Sequence, residues 1–410
     1  MRILALFAAI FAITPLAIDM YLPALPLLAV SFESPIEIVQ NSLSVFLAGF
    51  GFGMFIFGPL ADHFGRRPLL IGGLLGSSLC SFALAWVSNI ELFLVLRFLQ
   101  AFLGGAATVV IPGAIREIYE KDTAKGLSYV SMIMMIAPMI APAIGGYILT
   151  FAQWPLIFEV LGVYSAVMLV LAILFFPQPK KANIEIEEQN EANHSTATQK
   201  PLSFIRRYHR VLSARHCHGF LVISMTLAVM FFTYITSVSF LYLEIFEFSE
   251  QQFSLLFALN VGGLMLGNWI NTRLVPVWGS PRILKLAGWL LLVASILFLL
   301  LMVNEANPYA IIAVFMTIIA VVAIMSTNTD AIILQQFKEH AGTATAVIGT
   351  FRYGCGALAG PILAFAFDGT GNPIAYLLLT GTLIVFITVQ FNVGIKSSLT
   401  NDESSKLNQC

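Results

Sequence analysis

The sequence predicts an all-α membrane protein with twelve transmembrane helices in two six-helix bundles and both termini in the cytoplasm. Three observations predict it. The 410 residues are 58% hydrophobic and only 10% charged, against about 25% charged in soluble domains, so most of the surface faces something other than water. Apolar runs of about twenty residues, enough to cross a bilayer core of about 30 Å, recur along the whole chain. Lysine and arginine gather in alternate connections.

Taken in order, the first six runs span 4–29, 40–60, 69–88, 91–113, 127–150 and 155–176. The second six span 217–241, 252–271, 283–303, 308–330, 342–366 and 373–395. The opening run outlasts the apolar core of a secretory leader and shows no small-residue cleavage motif, so it reads as a membrane span. The polar stretch from Pro177 to Arg215, EIEEQNEANHSTATQK and then RRYHR, is acidic first and basic at its end and reads as a linker. The expected organisation is therefore a six-helix bundle over 1–176, a cytoplasmic linker over 177–215, a second bundle over 216–396 and a cytoplasmic tail over 397–410.

Orientation follows from the cations. Arg2, Arg66, Arg67, Arg116, Lys121, Lys125, the linker cations, Arg273, Arg282, Lys285, Lys338, Lys396 and Lys406 all fall on one side. The opposite loops carry Glu33, Glu37, Glu247, Glu250, Glu305 and Asp368, with no lysine or arginine. The positive-inside rule makes the cation-rich side cytoplasmic and the chain a multi-pass protein of a bacterial inner membrane.

Composition also excludes functions. A net charge of −1 argues against nucleic acid as a partner. Cys80, Cys217, Cys355 and Cys410 form no C-x-x-C pair and suggest neither a disulfide framework nor a metal site. No phosphate-binding G-x-x-x-x-G-K-[ST] sequence appears, which argues against ATP hydrolysis. With no nucleophile–base pair either, the chain is not expected to be an enzyme or to need a cofactor. Its expected partners are a small molecule, protons and the lipid bilayer, and it is expected to act as a monomer.

The two sets of runs look like repeats. Gly58-Pro-Leu-Ala-Asp-His-Phe-Gly-Arg-Arg-Pro-Leu-Leu70 follows the second run, and Gly267-Asn-Trp-Ile-Asn-Thr-Arg273 with Gly279-Ser-Pro-Arg282 follows the eighth. Six spans, a linker and six more imply two bundles around a central cavity, the plan of transporters built from parallel repeats. Asp62, Arg66 and Arg67 can form a charge network that holds only while helix ends are together, with Gly58 and Gly65 allowing close approach. Glu117, at the same end of the fourth helix, is a third member. The repeat offset carries Glu117 onto Asp330, expected to pair with Arg273 or Arg282. The alternative is that these are ordinary interfacial charges.

The stretch from Gly58 to Leu70 resembles the cytoplasmic-loop signature of the major facilitator superfamily, G-x-L-a-D-r-x-G-r-[RK]-x-x-l, with His63 in place of the usual basic residue. Arg97-Phe-Leu-Gln100 with Gly104-Gly105 resembles the fourth-helix motif of its proton-coupled drug exporters. Ala137-Pro138-Met-Ile-Ala141-Pro142-Ala-Ile-Gly145-Gly146 resembles their antiporter motif g-x-x-x-G-P-x-x-G-G, with alanine at two glycine positions. Its stripe of Pro138, Pro142, Gly145 and Gly146 suits close packing and bending between halves, with plain helix packing as the alternative. Ile18-Asp19-Met20-Tyr21-Leu22-Pro23-Ala24-Leu25-Pro26 is similar to the D-M-Y-L-P-A-L-P segment of the bicyclomycin-resistance (Bcr/CflA) exporters. These matches imply the major facilitator fold and proton-coupled drug efflux, and they lie almost wholly in the first half.

Ionisable residues inside a span cost roughly 3 kcal/mol or more and usually face a cavity or a partner. Three stand out. At 1.5 Å per residue, Asp19 lies ~12 Å and Arg97 ~9 Å from the outer end of their helices, so both can share one cavity. Asp19 is the expected proton carrier, with Arg97 tuning it; a purely structural Asp–Arg pair is the alternative. Arg352, ~15 Å deep in the eleventh helix, either contacts a polar substrate group or bonds to carbonyls. Tyr21, Phe46, Phe231, Phe232 and Tyr234 are the aromatic candidates for a drug pocket. The resulting expectation is a proton-driven exporter of drug-like molecules working by alternating access. A metabolite exporter, with Arg352 as a carboxylate contact, is the second reading and a non-transporting receptor the third.

Overall fold

The computed structural model describes residues 2–119, 123–177, 218–336 and 341–407, all helix, turn or short connection. The linker beyond Pro177 lies outside the described residues, as do the side chains of Asp62, Arg116 and Glu117.

Proline sets the shape of the first span, α1 (Ile3–Ser31). It is interrupted into Arg2–Phe11, Ile13–Asp19, a 3-10 turn at Leu22–Ala24, and Leu25–Ser31. Pro15 clashes with the carbonyl of Phe11, where the first piece stops, and Pro23 has no amide to donate to the carbonyl of Asp19, where the second stops. The helix is therefore open at the residue that carries the carboxylate.

The next elements are α2 (Ile36–Phe64), α3 (Arg66–Ala85), α4 (Ile90–Tyr119), α5 (Thr123–Leu149) and α6 (Pro155–Phe175). After the linker, α7 (His218–Ser239) ends in a π-helical turn, Phe240–Ile245. A run of 54 residues, Glu250–Val303, bends at Gly279; α8 and α9 are its parts before and after the bend. It starts on a capping box, the Ser249 hydroxyl taking the Gln252 amide while the Gln252 side chain returns to the Ser249 amide. Then come α10 (Pro308–Gln336), α11 (Ala341–Gly356, resuming as Ala359–Ala366) and α12 (Asn372–Leu407). The break in α11 falls at Ala357, whose carbonyl Pro361 cannot serve. Among the described residues, ten helices are long and apolar enough to cross a membrane, with α8 and α9 taken as one; α5 is not among the ten and adds the shorter apolar stretch Ile136–Leu149.

The internal repeat shows in the turns. Gly65 between α2 and α3 has φ 84° and ψ 156°, and Gly279 between α8 and α9 has φ 72° and ψ 150°. Both need a residue without a Cβ, and they occupy corresponding places in the two sets of helices. Within the first set α2 packs along α4, and α3 against α4 and α6; within the second, α10 and α12 pack on the α8–α9 run and α7 on α12. Between the sets, α2 meets α11 and α5 meets α8.

One end of the bundle carries the loops of Glu33, Glu247, Glu305 and Asp368, and is called the acidic end; the turn at Gly65–Arg67 marks the basic end. Rings of Phe32, Phe93, Trp154 and Phe158, with centroids 5.2 to 6.2 Å apart, tie α1, α4 and α6 together near the acidic end. In the last acidic loop the hydroxyl and amide of Thr370 donate to Asp368, holding its carboxyl below the usual carboxylate range.

Candidate functional site

Asp19 is 4% exposed, and its Oδ1 has no hydrogen-bond partner among the described residues. It sits at the last residue of a helical piece, immediately before the broken stretch Met20–Ala24. That stretch is where α1 meets its neighbours. A Cβ on Gly145 of α5 would run into the Met20 carbonyl oxygen, and the Leu22 carbonyl accepts a 2.7 Å hydrogen bond from Ser239 of α7. Burying an unpaired charge costs several kcal/mol, so the site accommodates either a proton or a guest that brings a hydrogen bond or a positive charge.

Arg97 does not pair with Asp19. Its fully buried guanidinium donates to the Gln100 side chain (Nη1 to Oε1, 2.6 Å) and to the Ala17 carbonyl (Nη2, 3.1 Å). Ala17 lies in the last turn of its helical piece, where carbonyls lack intrahelical partners, so Arg97 caps the broken end. The rings of Tyr21 and Phe46 cover the guanidinium at 4.2 and 4.4 Å. Gln100 in turn donates to Ser81, and Tyr21 bonds Ser42. The alternative of a purely structural Asp–Arg pair is thus not what forms here, and Arg97 reaches α1 through the backbone two residues before Asp19. Tyr21 and Phe46, expected as drug contacts, are buried as the casing of Arg97.

Across the interface stands Tyr234 of α7. Asn260 of α8 donates to the hydroxyls of both Tyr234 (3.0 Å) and Tyr242 (2.8 Å). Tyr234 is buried against Phe257 and Phe315.

A cavity of about 280 Å³ opens among α7, α8, α10 and α11. Phe231, Phe232, Asn268, Ser326, Thr327, Asp330, Arg352 and Tyr353 line it. Arg352 Nη2 lies 2.7 Å from both oxygens of Asp330 and 2.9 Å from the Ser326 hydroxyl. The expectation that Asp330 pairs with Arg273 or Arg282 is therefore corrected. Arg352 reaches it from the adjacent α11, while Arg273 lies over the Trp269 ring on the exposed surface. A larger hollow of about 370 Å³ lies among the acidic-end loops and touches none of Asp19, Arg97, Asp330 or Arg352.

At the basic end the Arg66 guanidinium lies against Gly113, one helical turn before Glu117. Arg67 donates to the Ile173 carbonyl of α6 at 2.6 Å. The side chains of Asp62 and Glu117, the acidic members of the expected network, lie outside the described set. Gly58 has nothing within 4 Å of the position a Cβ would take.

The antiporter-motif residues sit on the other interface. Pro138 and Pro142 lie inside a continuous α5. The Pro142 carbonyl accepts from Ser254 of α8 at 3.0 Å, and a Cβ on Gly146 would meet the same hydroxyl. Together with Ser239 to Leu22 and the Gly360 amide to Ser44 (3.1 Å), this makes three hydrogen bonds between the two sets of helices among the described residues, all in their acidic-end parts.

Sequence reasoning missed Asn260, Gln100 as the partner of Arg97, Ser326 and Tyr353. Uncharged polar residues in apolar runs leave little signal, although Gln100 stood within the quoted motif.

Comparison with known proteins agrees with this architecture. The family model described as Major Facilitator Superfamily matches residues 7–361. The chain is 27% identical over 383 residues to a bicyclomycin resistance protein homolog of Haemophilus influenzae, covering 92% of each. It is 27% identical over 383 residues to a chloramphenicol resistance protein of Pseudomonas aeruginosa, covering 90% of this chain and 85% of that one. Among solved structures, the inward-open conformation of the xylose transporter XylE from E. coli superposes with a TM-score of 0.69 at 13% identity, covering 95% of each chain.

Proposed function

The chain belongs to the Major Facilitator Superfamily, and from that premise we propose that it exports drug-like small molecules from the bacterial cytoplasm in exchange for protons. It is a membrane transporter with several spans. Names borne by relatives over nine-tenths of this chain support efflux of antibiotic-like compounds. We take α1–α12 as twelve crossings in two bundles, 1–176 and 216–396, the 177–215 linker and both termini being cytoplasmic. The bend at Gly279 and the one-sided distribution of cations support that reading.

The observation that carries the proposal is Asp19, a buried carboxyl group with one oxygen that has no partner among the described residues, at the break in α1 where the two halves meet. On this orientation the acidic end is outside and closed, and the cavity bearing Arg352 faces the cytoplasm. Asp19 carries the proton inward, substrate enters from the cytoplasm or inner leaflet, and deprotonation accompanies its binding. The halves then rock so that the acidic-end contacts open and the Arg66–Arg67 turn closes the basic end. One proton supplies about 1.4 kcal/mol per pH unit and about 2.3 kcal/mol per 100 mV, so no nucleotide is needed.

The metabolite reading loses support because Arg352 is engaged by Asp330 and offers no lone cation to a carboxylate. Everted membrane vesicles test the proposal. Labelled chloramphenicol should accumulate when the interior is acidified and leave when an ionophore collapses the gradient. Accumulation indifferent to the ionophore would contradict it.

A further inference from the structure

The ion pair in the cavity has a second consequence. Asp330 and Arg352 are each about a quarter exposed, 25% and 28%, so a guest can reach both. Among the described residues no other acid or base lines the cavity; the rest of that lining is apolar, aromatic, hydroxyl or amide. The wall is therefore electrically neutral in sum but strongly dipolar, and Phe231, Phe232 and Tyr353 offer ring faces beside the dipole. Ser326 and Ser224 hold the pair in place, donated to by Arg352 at 2.9 and 3.4 Å. A cationic guest must compete with Arg352 for Asp330, and an anionic guest must compete with Asp330 for Arg352. An uncharged guest with an amide or hydroxyl beside an aromatic ring disturbs neither.

We propose that the Asp330–Arg352 pair is the charge filter of the transporter, selecting uncharged dipolar aromatic compounds over both cations and anions. This rests on the reading of the cavity as the substrate site, and it assigns the pair a role separate from that of Asp19. Removing one partner leaves a single bare charge in an otherwise neutral pocket, which reverses the selection in a direction that depends on the partner removed.

The test is equilibrium binding of three matched probes to the purified full-length protein in detergent: N-benzylacetamide, benzyltrimethylammonium and benzylsulfonate. Wild type should favour the amide. Arg352→Gln should raise the affinity for the ammonium relative to the amide by about tenfold, and Asp330→Asn should do the same for the sulfonate, a moderate figure because the pair is partly solvated. The double variant should return the preference to the amide. A uniform loss for all three probes with an unchanged ratio would assign the pair a structural role only and overturn the proposal, as would binding of none of them. Proton release by wild type on adding the amide reports separately on drug–proton exchange, so the two readings fail independently.

Discussion

Arg97 is held by two hydrogen bonds and by the rings of Tyr21, Phe46 and Phe158, a set of contacts that the planar fork of a guanidinium serves at once. A lysine ammonium in its place cannot serve Gln100 and the Ala17 carbonyl while lying flat between Tyr21 and Phe46. Arg97→Lys should therefore lose at least one charge-assisted bond worth about 1.5–3 kcal/mol, and drug transport in vesicles should fall by tenfold or more. Transport at the wild-type rate would show that the capping of α1 is dispensable. Single residues were legible in the sequence where a charge interrupted an apolar run, as at Asp19, Arg97 and Arg352. Their partners were not. The repeat offset placed Asp330 correctly at the end of α10 but pointed to Arg273 and Arg282, whereas the neighbour that decides is the adjacent α11. Asn260, joining Tyr234 to Tyr242, is one polar residue among apolar ones, and nothing local distinguishes it from a packing residue.

The helices themselves were legible because twenty apolar residues and a cluster of loop polar groups are signals that need no tertiary context. Their interruptions were not predicted, although the causes lie in sequence: Pro15 and Pro23 open α1, and Pro361 opens α11. Whether a proline kinks, breaks or is tolerated depends on the neighbours that serve the freed carbonyls, here Arg97 for Ala17 and Ser239 for Leu22. Packing of α5 onto the opened α1 gives the next prediction. Gly145→Val places its side chain against the Met20 carbonyl and should reduce transport by more than tenfold. The same change at Gly262, where an added Cβ meets no described atom beyond its own stretch of helix within 4 Å, should leave it within about twofold. Equal tolerance at both sites, measured in the same vesicles, would contradict the assigned contact between α5 and α1.

At the scale of the whole molecule, the described hydrogen bonds between the halves all lie in their acidic-end parts, so this conformation is closed there. A Cβ on Gly360 would stand 3.1 Å from that of Ser44, close enough for a disulfide to form after slight adjustment. In a chain freed of its native cysteines, Ser44→Cys with Gly360→Cys should cross-link at rest and stop transport, and reduction should restore it. Undiminished transport by the cross-linked form would rule out opening at that end. The central claim, that Asp19 exchanges a proton for drug, is tested most directly by the pH change of a weakly buffered solution of purified protein on adding chloramphenicol, with Asp19→Asn alongside. Release from wild type and none from the variant is the predicted result; equal release from both would contradict the account and place the proton on another group.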